Sequence, residues 1–484
     1  MSLVIGFLEK CRLDPLHPAL IQNDRSYSYD QLKTHCQAVA AELSVLGIKP
    51  QERIAIALDR GIDATIAIFG ILFSGGCYLP LDMKNPAERL NYIINDARVS
   101  AIIGIGHYPE WLEPGKHWID IANLSPRNDW LMPFASDPEN HAAILYTSGS
   151  SGLPKGVILS HRAIGAFADW AGETFQIGAE DRIASIAPFH FDLSTFDLFS
   201  TLRLGGSVYF VPIQLALAPS KLTAWLSEYR ITCIYTVPSL LSFLALKGNL
   251  SAHSLADLRF VLFAGEVFPT ARLIVLAEKL PKVQLFNLYG PTETNACCYW
   301  PVDRSQLDPE QPIPIGKPAS KAQLRIAQDS GELLVKGQTT LSGYWQNGTL
   351  EEVLDKDGWY ATGDRVSVSC SGEYLYYGRI DRMIKCAGYR VEPAEIEAAI
   401  DFLKGVTASA VVGIDDPTSG RRPVAAVVLQ PELELAELNK QLRQKLPPYM
   451  QPARYRVLQE LPRLSSGKLD YVAIRRLFDQ TQIT

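Results

Sequence analysis

A chain of 484 residues is too long for a single core and points to about two to four folding units. Its composition, 47% hydrophobic, 20% charged and 10% aromatic, is ordinary for a soluble globular protein. The formal net charge of −6 argues against nucleic acid as the main partner, because such binders carry a basic field; a single nucleotide needs only a local cradle and stays open.

Residues 1–15 carry Glu9 and Lys10 early and lack a cationic start, a long apolar run and a cleavage site, so they do not read as a signal peptide. The most apolar stretch, 64–73, is far shorter than the roughly 20 residues of a membrane span. Cys11, Cys36, Cys77, Cys233, Cys297, Cys298, Cys370 and Cys386 are scattered, with no C-x-x-C pair and no histidine at zinc-finger spacing. They read as buried reduced thiols. The expected setting is cytoplasmic, with no membrane partner.

Along the chain, 53–57 reads as a strand and 63–73 as a helix, followed by strands at 101–104 and 141–146. Further strands at 233–237, 259–263 and 283–287 are separated by helical patterns such as 220–229. This alternation predicts parallel α/β layers. After about residue 311 the texture changes to β segments at 323–326, 331–335 and 374–377, joined by Gly and Ser turns. A compact α/β unit then follows, with helices at 394–400 and 434–445 and a strand at 408–412. The fold class expected is α/β: a large N-terminal body, 1–378, of layered α/β subdomains plus a β-rich subdomain, then a hinge at 379–382 and a small mobile α+β C-terminal lobe, 383–484. No internal repeat or low-complexity tract is visible.

The most informative segment is Tyr146-Thr147-Ser148-Gly149-Ser150-Ser151-Gly152-Leu153-Pro154-Lys155-Gly156. Glycines let a backbone approach a phosphate, hydroxyls and amides donate to its oxygens, and the lysine adds a point charge. A plain surface turn accounts for the Gly and Ser but poorly for the Pro-Lys-Gly ending. No Gly-Lys-Ser/Thr opens a helix here, so it is not a Walker loop.

This segment resembles the phosphate loop of the adenylate-forming superfamily, which includes acyl-CoA synthetases, luciferases and nonribosomal peptide synthetase adenylation domains. Other segments match in order along nearly the whole chain: Tyr27-Ser28-Tyr29-Asp30-Gln31-Leu32, Gly75-Gly76-Cys77-Tyr78-Leu79-Pro80-Leu81-Asp82, and Asn287-Leu288-Tyr289-Gly290-Pro291-Thr292-Glu293. Gly331-Glu332-Leu333, Tyr360-Ala361-Thr362-Gly363-Asp364 and Gly378-Arg379-Ile380-Asp381 follow, and Leu446-Pro447-Pro448-Tyr449-Met450 and Ser466-Gly467-Lys468-Leu469-Asp470 close the series.

The resemblance implies that Thr147, Ser148, Gly149, Ser150, Ser151, Gly152 and Lys155 hold the ATP phosphates. It gives Asn287, Tyr289 and Gly290 to adenine, Thr292 to the α-phosphate, Glu293 to Mg2+, Asp364 and Arg379 to the ribose, and Asp381 to the hinge. Lys468, delivered by the last lobe, would bridge the substrate carboxylate and the phosphate. The chemistry requires such a set: two anions must meet, and a lysine and a magnesium ion aimed at the developing charge offset the repulsion. A solvated lysine near a chain end is the bland alternative for Lys468. Ser151 stands where threonine is usual, Ala361 replaces a basic residue, and Cys386-Ala387 stand where isoleucine and arginine are common.

His190-Phe191-Asp192-Leu193-Ser194 resembles the motif by which amino-acid-activating members place an aspartate. A buried carboxylate is costly unless paired, and a substrate ammonium supplies the partner; a helix N-cap is the competing account of Asp192. By resemblance the pocket is lined by Leu193, Phe196, Tyr235, Leu262, Ala264, Leu288, Ala296 and Cys297, beside His190. The set is similar to that of stand-alone prolyl-AMP ligases. The implied reaction is activation of a small apolar amino acid, proline first, with alanine or valine behind it, and transfer to the phosphopantetheine thiol of a peptidyl carrier protein acting in trans. Leu204-Gly205-Gly206-Ser207 resembles a carrier attachment site but precedes an apolar run, so a turn into a strand is expected, and the chain is read as a free-standing loader. The rival readings are an acyl-CoA ligase using coenzyme A, a luciferase-like oxygenase, and a non-catalytic nucleotide binder; Lys155, Glu293, Asp364 and Lys468 speak against the last.

Overall fold

The computed structural model describes residues 3–128, 134, 137–149, 153–250, 255–416, 420–463 and 469–479. Among them, the N-terminal body is built on two large sheets. In the first, Arg53–Ile56, Cys77–Pro80, Ala101–Gly104 and His117–Asp120 run parallel, and His141–Thr147 joins beside Cys77–Pro80. His141–Thr147 then doubles back on Lys155–Ser160 as an antiparallel pair, with Leu145 opposite Val157 and Thr147 opposite Lys155. The two ends of the phosphate-loop motif therefore lie on the paired strands of a hairpin. The helix Ile62–Phe73 packs against this layer and is apolar all round, as a fully enclosed helix must be; Asp63 at its start ion-pairs with Arg25.

The second sheet has a parallel centre: Arg182–Ser185, Ser207–Phe210, Cys233–Thr236, Phe260–Phe263 and Gln284–Tyr289. Cys298–Pro301 closes one side antiparallel. Gly205, at φ 95°, ends the short helix Thr201–Leu204 and turns the chain into Ser207–Phe210, the turn-to-strand expected there. The motif around Ser28 is structural: Ser28 and Gln31 form a reciprocal capping box at the start of helix Tyr29–Val45. The Tyr29 hydroxyl donates to the Gly206 carbonyl at 2.8 Å, tying that helix to the second sheet.

The β-rich subdomain is an antiparallel sheet of Gln323–Ile326, Glu332–Lys336, Tyr360–Val368 and Tyr374–Arg379. Residues 380–383 lie outside strands and lead into the last sheet, whose long hairpin is Val406–Asp416 with Gly420–Leu429. Side chains alternate across this hairpin. Val411, Ala425 and Val427 pack with helices Pro393–Asp401 and Leu435–Lys445 on one face; Ala410, Val412 and Val424 pack with Ile474 and Phe478 of Tyr471–Asp479 on the other. No disulfide joins the eight cysteines, and Cys370 is the exposed one. No described helix is long and apolar enough to cross a membrane.

Candidate active site

Parallel strands leave a crevice beyond their C-terminal ends, where the chain turns away and side chains and amides converge. Here Tyr235 and Thr236, Ala264 and Gly265, and Tyr289 and Gly290 sit at three such ends and line a cavity of about 600 Å3. The hairpin tip supplies Thr147 and Ser148, and the C-terminal lobe closes the far side with Lys385, Gly388, Tyr389 and Arg390.

Of the expected phosphate-binding group, Ser150, Ser151 and Gly152 lie outside the described residues, as does Lys468. Ser148 and Gly149 are buried, and the Thr147 hydroxyl is buried without a partner. The Lys155 ammonium lies 3.6 Å from the centre of the Tyr344 ring. Burial, helped by repulsion from Arg390, pushes it down to about 8, and an incoming anion would raise it again. Glu293 has no solvent exposure. Its Oε1 accepts from the Tyr344 hydroxyl and the Arg390 guanidinium, each at 2.7 Å, while Oε2 has no partner. Burial raises this carboxyl, but Arg390 and Lys155 outweigh burial and hold it at about 2.

Asp364 is buried against the cavity wall, with each carboxylate oxygen accepting one protein bond. Oδ2 takes the Tyr289 hydroxyl and Oδ1 takes Arg379 at 3.0 Å. Arg379 also donates to Asp381, so one guanidinium links the ribose candidate to the hinge candidate. Thr292 lines the cavity beside Gly290. Asn287 donates to the Pro314 carbonyl at 2.8 Å and faces a recess it shares with Gly265, Tyr289, Tyr376 and Lys385. Lys385, which also lines that recess, lies 5.9 Å and 5.7 Å from the Tyr289 and Tyr376 ring centres.

Asp192 faces the cavity. It is not the side-chain cap of a long helix: its carbonyl accepts from Thr195, and a π-helical turn, Phe196–Ser200, follows. Burial, with Glu293 second, pushes its carboxyl up to about 6, while its own and the Leu193 backbone N–H and the Lys385 ammonium act the other way. Asp197, five residues on, is fully buried and does not reach the cavity. His190 lines the cavity 3.7 Å from Asp82, its Nε2 without a hydrogen bond.

Leu193, Tyr235, Ala264 and Ala296 form the apolar wall. Phe196, Leu262 and Leu288 belong to the same buried cluster but stand behind that wall. Leu262 and Leu288 precede Ala264 and Gly290 by two residues and so keep the same face one layer deeper; Phe196 supports Tyr235 edge-on at 5.6 Å. Cys297 is fully buried in a different cluster, with Tyr289, Cys298 and Leu333.

The C-terminal lobe brings residues that motif reasoning did not assign. Tyr389 stacks on Tyr449 at 3.8 Å and meets Phe191 edge-on at 4.8 Å, beside Asp192. The backbone on either side of Val391 binds Ser148, which donates to the Arg390 carbonyl at 2.7 Å and accepts from the Glu392 N–H at 3.1 Å. Arg89 of the body ion-pairs with Glu395. The sequence signal was the glycine before Tyr389: Gly388 has φ 82°, and a Cβ there would sit 2.8 Å from Val237.

Residues 7–345 match the family described as AMP-binding enzyme, and residues 395–468 match the AMP-binding enzyme C-terminal domain. The chain is 35% identical to an L-proline–[L-prolyl-carrier protein] ligase of Streptomyces coelicolor, over 94% of this chain and 92% of that protein. It is 33% identical to a ligase of the same description from Pseudomonas fluorescens, over 96% of each. Its fold matches an o-succinylbenzoate CoA synthetase of Bacillus subtilis with a TM-score of 0.88 at 23% identity, over 97% of this chain and 98% of that one. With motif order, paired domains and cavity in agreement, the chain belongs to the AMP-binding enzyme family.

Proposed function

We propose that this ligase activates a small apolar amino acid, L-proline first, as aminoacyl-AMP with release of pyrophosphate, and passes it to the phosphopantetheine thiol of a separate carrier protein. The observation that carries the reading is Asp192, an ionisable carboxyl beside the apolar wall of a cavity that Ser148 and Asp364 also line. Ionising Asp192 in the empty pocket costs roughly 3 kcal/mol, less whatever water the open cavity screens. A substrate ammonium removes that cost, so amino acids are favoured over fatty or aryl acids. The wall of Leu193, Tyr235, Ala264 and Ala296 offers no charge to a substrate side chain. The two proline ligases matched along nearly their whole length support proline.

In the first half-reaction a substrate carboxylate oxygen bonds to the α-phosphorus as the bond to the β-phosphate oxygen breaks. Ser148, Thr147 and Lys155 hold the outer phosphates; Tyr289 and Asn287 hold adenine; Asp364 and Arg379 hold the ribose. Glu293 fits a single-carboxylate magnesium site, because its free Oε2 is buried and unpaired and Mg2+ takes its other oxygens from phosphates and water. When bound, the metal neutralises charge on the departing pyrophosphate. Lys468 stabilises the charge that builds on the α-phosphate. In the second half-reaction the thiolate attacks the carbonyl carbon and AMP leaves with its bonding pair.

The domain division proposed is 1–378 and 383–484 about a hinge at 379–382, with Asp381 held by Arg379 and by the Met383 N–H at 3.1 Å. Asp381→Pro is expected to slow thioester formation at least tenfold more than pyrophosphate exchange, since a fixed φ blocks the turn between arrangements. Equal loss in both assays contradicts the hinge. A cytoplasmic setting, with ATP and reduced carrier thiols, goes with this reading. It is tested by incubating the protein with ATP, Mg2+ and proline beside either a panel of phosphopantetheinylated carriers or coenzyme A. Prolyl mass gained on a carrier supports transfer in trans; acylation of coenzyme A alone moves the protein to the CoA ligases.

A further inference from the structure

A chain of hydrogen bonds runs from the loop that carries Glu293 to the backbone of Asp192, through two residues that no motif above assigns. The loop, 290–296, turns Gln284–Tyr289 back into Cys298–Pro301, and the Cys297 N–H closes its base on the Tyr289 carbonyl at 2.8 Å. It folds tightly on itself: a Cβ at Gly290 would lie 1.6 Å from the Asn295 carbonyl oxygen. Asn295 is buried and left-handed, at φ 51°, a conformation that asparagine adopts more readily than most residues. The next residue, Ala296, belongs to the apolar wall of the cavity.

One group that can only donate fixes the polarity of this chain. The Ala296 N–H donates to Asn295 Oδ1 at 2.7 Å, which leaves the amide nitrogen to face Thr195. Asn295 Nδ2 donates to the Thr195 hydroxyl at 3.0 Å, and that hydroxyl donates in turn to the Asp192 carbonyl at 2.6 Å. The Thr195 N–H meets the same carbonyl at 2.9 Å and closes the turn 192–195, whose first residue faces the cavity. Thr195 and Asn295 are both buried, so water does not compete for these groups. We propose that Asn295 is a positioning residue: through Thr195 it sets where the Asp192 carboxylate stands relative to the loop that carries Glu293. The relay rests on the reading of Asp192 as the ammonium anchor and adds how amino acid and nucleotide are held at one spacing. That spacing matters because a substrate carboxylate oxygen must meet the α-phosphorus while the ammonium stays on Asp192.

The test compares two competitive probes of proline-dependent ATP–pyrophosphate exchange on the full chain. Prolinol keeps the ammonium and lacks the carboxylate; cyclopentanecarboxylate does the reverse. Asn295→Gly removes the side chain without straining the left-handed backbone. In it the inhibition constant of prolinol is expected to rise about tenfold, while that of cyclopentanecarboxylate stays within about twofold. Thr195→Val, which keeps the shape and removes the hydroxyl, is expected to do the same, and Thr195→Ser to behave as the wild type. Combining Asn295→Gly with Thr195→Val is expected to be at most about twofold worse than the worse single variant, since members of one chain are not additive. Equal rises for both probes mean a general loosening of the fold and overturn the proposal, as do unchanged constants or additive effects. If Asn295→Gly does not fold, Thr195→Val against Thr195→Ser decides alone. A wild-type chain inhibited by cyclopentanecarboxylate and not by prolinol contradicts the reading of Asp192 itself, a result reached without any variant.

Discussion

Replacing Asp192 by asparagine is expected to lower amino-acid-dependent ATP–pyrophosphate exchange about a hundred- to a thousandfold, mainly through the amino-acid KM. The asparagine keeps the shape of the cavity but leaves the substrate ammonium unpaired in it, and truncating one partner of an enclosed charge pair costs 2–5 kcal/mol or more. The pH profile separates this from a loss of fold. The folded empty chain holds the Asp192 carboxyl at about 6, above its ordinary 3.8. Binding an ammonium needs the ionised form, so kcat/KM for the amino acid falls about tenfold per pH step below about 6 and levels off above it. The stability linkage has the opposite sign: the penalty of the empty pocket is absent below 3.8 and complete above about 6, where only substrate relieves it. In Asp192→Asn the kcat/KM profile loses this inflection. A wild-type profile flat through 6, or a variant with normal KM, contradicts the role of Asp192.

Lys468→Ala is expected to slow adenylation by roughly 10²–10³, the loss typical of one preorganised donor aimed at developing charge. A residue that acts on the α-phosphate while pyrophosphate is leaving should leave transfer from preformed aminoacyl-AMP to a thiol nearly unaffected when it is replaced. Single-turnover formation of the adenylate and stopped assays from synthetic adenylate separate the two steps. An unchanged adenylation rate removes Lys468 from this role, and equal loss in both steps assigns it to general support of the lobe.

What the sequence revealed and what it hid divide along a physical line. That Thr147, Ser148, Asp192, Tyr289 and Asp364 meet at one cavity was legible because each stands in a short motif of particular residue types, and local patterns survive in a single sequence. The parallel strands were legible from their apolar runs, with ends displaced by a residue or two; Val406–Asp416 proved longer than 408–412 because Gly413 breaks the apolar run before the buried Ile414 and the flanking Thr407 and Asp415 are exposed and polar. Depth in the wall was not legible. Leu262 and Ala264 share a face of one strand, and only the point where the strand ends decides that Ala264 reaches the cavity and Leu262 backs it. The hairpin at Thr147 and Lys155 was hidden because strand direction is set by pairing rather than by composition. Least legible was the approach of Tyr389 and Arg390 to residues about 100 to 240 positions earlier in the chain. Their placement depends on how the lobe docks, and no local pattern encodes that.

The account turns on Asp192 selecting an amino acid at the apolar end of an ATP-dependent site. The most direct measurement is ATP–pyrophosphate exchange across the common amino acids together with short fatty and aryl acids. Exchange strongest with proline, followed by alanine or valine, is the expected result. Exchange with a large or charged amino acid would contradict the reading of the wall, and exchange confined to fatty or aryl acids would contradict the central claim.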